Sequence, residues 1–258
     1  IVEFLKSVDS TQTVKVNQDL VLTPKVSGIQ NSYSWIEDGK ELAHSATYLF
    51  KRDKPGTYTL TFTSANEGGS SSISYKIKVL GKYGDGILLL NYTNAADKNA
   101  EISYLAPDGT LSKNVFVAEN EASALSVSAN SLYHYGTQYF ITSATGPNYL
   151  TVVNDQTLKQ EYTVTQSAIS GITYFATTDG KTGYVNITNR RKPGLYPVDL
   201  AGRSISGTIV PGSDALTLLP FNMVNQKLLM PAGKQLIQLT DDKTVPVKIC
   251  QDNVSGVA

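Results

Sequence analysis

Apolar and polar positions alternate in short runs from the start of the chain. "TVKV", "DLVLTPKV", "SYSWIEDGKEL", "GTYTLTFTSA" and "ISYKIKVL" follow one another up to about residue 80, separated by Asn, Gly, Asp and Pro. A period of two broken by turn residues predicts half-buried antiparallel strands packed as a β-sandwich over residues 1–80. The segment "VLGKYGDG", residues 79–86, carries three glycines and reads as a linker. A different rhythm begins at residue 84. "SYLAPDGTLSKNVF", "TVVNDQTLKQEYTV", "YPVDLAGRSISGTI" and "IQLTDDKTVPVKIC" each run from an apolar strand through an Asp-containing turn into a second strand. The turn aspartates Asp108, Asp155, Asp199 and Asp242 stand 47, 44 and 43 residues apart. A repeat of about 40–45 residues predicts the four-stranded blades of a β-propeller over residues 84–258.

Before each hairpin lies a further apolar run, "GILLLNYT", "TQYFITSA", "TGYVNITN" or "QKLLMPAG", read here as the innermost strand of its blade. About four blades are visible, and an open arc would leave strand edges unpaired. The expectation is therefore part of a larger ring, or a ring closed by something outside this sequence. The chain starts at Ile1 with no charged-then-apolar leader, which is the expectation for a processed or trimmed chain, and no apolar run of about 20 residues predicts a membrane span.

Composition narrows the class. Fifteen Tyr, 20 Gly and frequent Thr, Ser and Val favour strands, so the fold class expected is all-β with little helix. Lys and Arg number 22 and Asp and Glu number 22, so no basic surface for nucleic acid is expected. One cysteine, Cys250, and two histidines give neither an internal disulfide nor a four-ligand structural zinc site; no metal and no cofactor are expected.

Trp35 is the only tryptophan; Leu22 lies 13 residues before it, and Tyr58 precedes Leu60 by two. This spacing resembles the immunoglobulin pattern with leucine at both cysteine positions. The resemblance implies that Trp35 packs between Leu22 and Leu60 and that Tyr58 forms a tyrosine corner. "KPGTYTLTFTSANEGGSSS" is similar to PKD-type modules, which implies a spacer role. From residue 84 onward, "GILLLNYT", "YLTVVNDQTLKQEYTV" and "YPVDLAGRSISGTI" resemble the YncE-like propellers of Bacteroidetes surface lipoproteins. That resemblance implies an extracellular or outer-membrane location and a glycan or corrinoid, such as cobalamin, as ligand. It also implies components of an outer-membrane transporter as partners.

No nucleophile elbow, phosphate loop, zinc-protease motif or calcium loop occurs in the sequence, and the carboxylates stand singly. No catalytic residue is assigned, and a non-enzymatic protein is expected. Tyr92, Tyr133, His134, Tyr135, Tyr149, Arg190, Arg191 and Tyr196 are the candidate ligand-binding residues, with Tyr184 beside them, because they fall at strand ends or connections. Tyrosines there offer rigid amphipathic area, although about half are expected to pack between blades. His134, in "LYHYGTQYFITS", is read as a rim residue in the connection between two blades, and His44 as a strand or loop residue. The favoured reading is a binding protein. The alternatives are a propeller lyase or lactone hydrolase with a site built from loops, and a protein-interaction scaffold.

Overall fold

The computed structural model describes residues 10–27, 29, 32–92, 99–187, 193–213, 220, 222–224, 227–232, 234–240 and 243–249. The chain divides into two compact units, residues 1–85 and 86–258. Both are built from strands, so the all-β expectation holds.

In the first unit the strands are β1 (Thr11–Lys15), β2 (Leu20–Leu22), β3 (Ser32–Glu37), β4 (Lys40–Ala43), β5 (Tyr48–Phe50), β6 (Gly56–Asn66) and β7 (Gly69–Leu80). They form a five-stranded sheet in the order β1-β7-β6-β3-β4 and a two-stranded sheet, β2-β5. The alternation read from the sequence sets the register: along β6, Leu60, Phe62 and Ser64 are buried while their neighbours are at least partly exposed. Trp35 is fully buried, in one core cluster with Leu22 and Leu60. Its ring lies 4.7 Å from that of Phe62 and 5.4 Å from that of Tyr48, and its indole N–H donates to the Ser45 carbonyl at 2.9 Å. A buried indole so satisfied carries no desolvation penalty for its one polar atom. Tyr58 donates its hydroxyl to the Lys54 carbonyl at 2.9 Å, four residues upstream, as a tyrosine corner does. His44 follows β4 and is exposed, with Nδ1 3.2 Å from the Tyr33 carbonyl.

The second unit is a succession of sheets, antiparallel except for one short parallel pair in the third. The first contains β8 (Ile87–Asn91), β9 (Glu101–Leu105) and β10 (Leu111–Ser112), followed by the short helix α1 (Val115–Glu119). The second contains β11 (Ala129–Tyr135), β12 (Gln138–Ser143), β13 (Leu150–Asn154) and β14 (Gln160–Val164), in chain order. The third contains β15 (Gln166–Ser167), β16 (Ile172–Thr177), β17 (Thr182–Ile187), β18 (Gly194–Asp199) and β19 (Ser204–Ile205), in the order β15-β19-β18-β17-β16. The fourth runs β20 (Asn222–Val224), β21 (Lys227–Ala232), β22 (Gln235–Thr240) and β23 (Lys243–Ile249). Four consecutive sheets, mostly up-and-down in chain order, are the blades of a propeller-type fold.

The packing that holds the blades together uses both faces of the third sheet. Phe175, Val185, Ile187, Tyr196 and Val198 join Phe140, Leu150, Val152 and Val164 of the second sheet in one core. Ala176, Tyr184 and Leu195, the alternate positions, join Leu228, Met230 and Ile237 of the fourth. A strand buried on both faces loses the apolar-polar alternation and reads as a continuous apolar run.

Two readings of the blade plan need correction. "TQYFITSA" and "TGYVNITN" supply β12 and β17, which lie one place in from the edge of their sheets; β11 and β16 immediately precede them, form those edges and adjoin one another, so the convergence between sheets lies there. Only "GILLLNYT" opens its sheet, as β8. The same shift moves His134 out of a connection between blades and into strand β11, paired with Tyr139 of β12 across a hairpin turned at Gly136, whose φ is +61°. The turn aspartates keep their place: Asp108, Asp155 and Asp199 each stand at the last hairpin turn of a sheet, and Asp242 lies outside the described residues.

Trp35→Ala should lower the stability of the first unit by about 3–5 kcal/mol in urea denaturation, as large-to-small core substitutions do. A loss below about 1 kcal/mol would contradict the packing described for this ring.

Candidate functional site

Antiparallel order brings four turns to one end of the second and third sheets: 136–137, 155–159, 178–181 and 200–203. Between them lies a depression of 570 Å³, lined by Gln138, Tyr162, Gly180, Lys181, Thr182, Asp199, Leu200, Ala201 and Arg203. Each lining group is fixed by local chemistry. Asp199 ends β18, and its Oδ1 accepts from the Gly202 N–H at 2.8 Å, closing the turn that presents Arg203 at φ +53°. Left-handed backbone is unusual for a side chain other than Gly, Asn or Asp. The Arg203 guanidinium lies 5.0 Å from the centre of the Tyr162 ring, a cation–π distance. Burial, then Glu161, push the Tyr162 phenol above its ordinary pKa, and Arg203 opposes them without reversing the shift.

The turn between β16 and β17 borders the depression beside it, with the Leu200 N–H donating to the Lys181 carbonyl at 3.2 Å. Asp179 accepts there from the N–H groups of Lys181 at 2.8 Å and Thr182 at 2.9 Å, and from the Thr177 hydroxyl at 3.3 Å. Burial would raise its pKa, but these donors to the carboxylate outweigh it and hold Asp179 below the usual aspartate value. Gln138 at the head of β12 donates to Glu161 at 2.5 Å.

His134 and Asp155 stand at the same end of the second sheet. His134 Nε2 is 3.2 Å from Asp155 Oδ2, and the imidazole packs 4.8 Å from the Tyr139 ring. The imidazole is half exposed, whereas the Asp155 side chain is 13% exposed and, among the described residues, its Oδ1 has no hydrogen-bond partner. Asp199 caps its turn; Asp155 does not, because Asn154 Oδ1 accepts from Gln156 and Thr157 instead, at 3.0 and 3.1 Å. That one-residue exchange leaves the Asp155 carboxylate turned toward His134.

The other candidate residues distribute differently. Tyr133 packs edge-on to Phe175, 5.8 Å between rings, and donates to the Thr177 carbonyl at 3.0 Å. Tyr135 donates to the Thr178 carbonyl at 2.8 Å and lies against Gly180. Both tie the second sheet to the third. Tyr196 and Tyr184 are buried, one in each inter-sheet core, and Tyr149 is partly buried against the first of these. These five are the packing fraction of the tyrosines. Tyr92, 66% exposed, follows β8, and Arg190 and Arg191 lie outside the described residues. Tyr162, Lys181 and Arg203 were missed by sequence reasoning. The visible signal was the turn "DLAGRS", where Arg occupies a place that usually suits Gly or Asn. Among the described residues no group of three or more His, Cys, Asp or Glu could hold a metal ion, and no helix is long and apolar enough to cross a membrane.

Residues 85–253 match the family described as "Domain of unknown function (DUF5074)", and residues 4–66 match the PKD-like domain. No curated protein matches the sequence. Among solved structures, the chain is similar to a quinonprotein alcohol dehydrogenase-like protein from Bacteroides thetaiotaomicron VPI-5482, at 15% identity and a TM-score of 0.41, covering 100% of this chain and 74% of that one. It is similar to the GH74 xyloglucanase from Xanthomonas campestris at 13% identity, TM-score 0.40, covering 78% and 36%. The Trypanosoma rangeli sialidase is 11% identical with a TM-score of 0.33, covering 74% and 38%.

The lowered pKa of Asp179 fixes the sign of a pH dependence. A carboxylate depressed in the folded state stabilises it above the unfolded pKa, and that contribution disappears as pH falls through the folded value. Asp179→Asn should therefore lower Tm at neutral pH, with the difference from wild type shrinking below about pH 4. An equal deficit at pH 7 and pH 3 would contradict the role given to the charged form.

Proposed function

We propose that the chain, which belongs to the DUF5074 family, is a non-catalytic binding protein that captures a nutrient ligand at the turn end of its second and third sheets. The ligand class is a glycan or a corrinoid. The protein works at the cell surface or outside the cell, passing ligand to an outer-membrane uptake system, with the PKD-like module as a spacer.

The depression between Tyr162, Arg203 and Lys181 carries this reading. It combines a ring, two cations and an amide at the rims of two rigid sheets, which suits reversible recognition of a polar ligand. General-base catalysis needs a base in reach of a nucleophile or of the substrate proton it takes. His134 is held between the Asp155 carboxylate at 3.2 Å and the Tyr139 ring at 4.8 Å, neither of which is a hydroxyl nucleophile that an imidazole base would activate. This favours binding over the lyase or lactone hydrolase alternative.

Titration calorimetry of the whole chain against neutral oligosaccharides, acidic oligosaccharides and cobalamin tests the proposal. One of these should bind saturably at one site and remain chemically unchanged on recovery. Absence of heat across all three with folded protein, or recovery of a cleaved product, would overturn it.

A further inference from the structure

Asp199 is the one carboxylate among the residues that line the depression, and its Oδ1 accepts from the Gly202 N–H; nearby, Asp179 accepts from two backbone N–H groups and a hydroxyl, and Glu161 from Gln138. Two cations, Lys181 and Arg203, line it as well. Among the described residues, neither the Lys181 ammonium nor the Arg203 guanidinium makes a hydrogen bond or an ion pair, and the guanidinium lies over the Tyr162 ring. An ammonium offers three donors and a guanidinium five, with no acceptor on either. Both cations are exposed and border the same depression, where they outnumber its one carboxylate and leave their donors open to a ligand.

Resting on the binding reading above, we propose that the depression selects an acidic saccharide, whose carboxylate or sulfate is held between Lys181 and Arg203. The planar guanidinium matches a carboxylate or sulfate edge with two parallel donors, and Lys181 supplies a second positive charge from the adjacent turn. Stacking on Tyr162 limits the directions the guanidinium can take, so less freedom is lost on binding. The left-handed backbone at Arg203 fits a residue placed for its side chain at some conformational cost. Neutral sugars lack the negative charge that these donors prefer.

The test is calorimetry at low salt with galacturonate oligosaccharides, sulfated oligosaccharides and neutral galactose oligosaccharides of equal length, using the whole chain. An acidic series should bind about tenfold tighter than the neutral one, as charge-assisted hydrogen bonds allow. Lys181→Gln and Arg203→Gln should each reduce that preference, Arg203→Glu should abolish it, and added salt should weaken it. Thermal unfolding of each variant separates lost binding from lost folding. Tighter binding of the galacturonate series assigns a carboxylate, and tighter binding of the sulfated series a sulfate. Equal affinity for acidic and neutral sugars, unchanged in the variants, would overturn the anion assignment and leave the binding reading standing. No binding of any saccharide by folded protein would overturn the saccharide ligand itself.

Discussion

Phe140 of the second sheet and Phe175 of the third stack with their centroids 4.6 Å apart and planes inclined by 20°. Around that contact the two sheets share one core, and the alternate residues of the third sheet turn away to build a second core with the fourth. Side chains on adjacent strand positions point to opposite faces, so the buried apolar residues of β17 and β18 divide between one neighbour and the other. A one-residue slip would exchange the two cores. Gly183 is part of this arrangement: a Cβ there would enter the Phe175 ring, so the strand passes beneath the ring only as glycine.

The candidate site inherits its geometry from the same contact. Its walls are turns that extend paired strands, and the strands are held by the shared core. Tyr133 and Tyr135 fasten the rim by donating from the second sheet to carbonyls of Thr177 and Thr178 in the third. Lys181, Tyr162 and Arg203 then face one depression from two sheets. The tyrosines that looked like ligand platforms in the sequence therefore serve largely as braces. The depression is lined instead by side chains from turns and strand ends.

The legibility of the sequence follows from the range of the interactions involved. Trp35, Leu60 and Tyr58 could be read because a sandwich strand with one wet face keeps its alternation, and because a tyrosine corner spans four residues. The blade repeat could be read from Asp-containing turns, since an aspartate closing a hairpin is a local device, seen at Asp108 with the Thr110 N–H at 2.9 Å and again at Asp199. The phase of the blades was misread for a physical reason. Burial on both faces makes β12 and β17 read as apolar runs, so such a run does not by itself mark the strand where sheets converge. The depression was illegible because its residues come from turns about 20 and 40 positions apart, with no spacing to announce them.

The central claim is that the second and third sheets unfold as one unit through the Phe140–Phe175 core and so hold the site together. Native-state amide hydrogen exchange on wild type and Gly183→Ala tests this most directly, because the substitution presses on Phe175 alone and overpacking of this kind costs about 1–3 kcal/mol. The account predicts that amides of β12, β13, β17 and β18 lose protection together and by the same free energy. Loss confined to β17 and its hairpin partners, with β12 and β13 as protected as before, would contradict it.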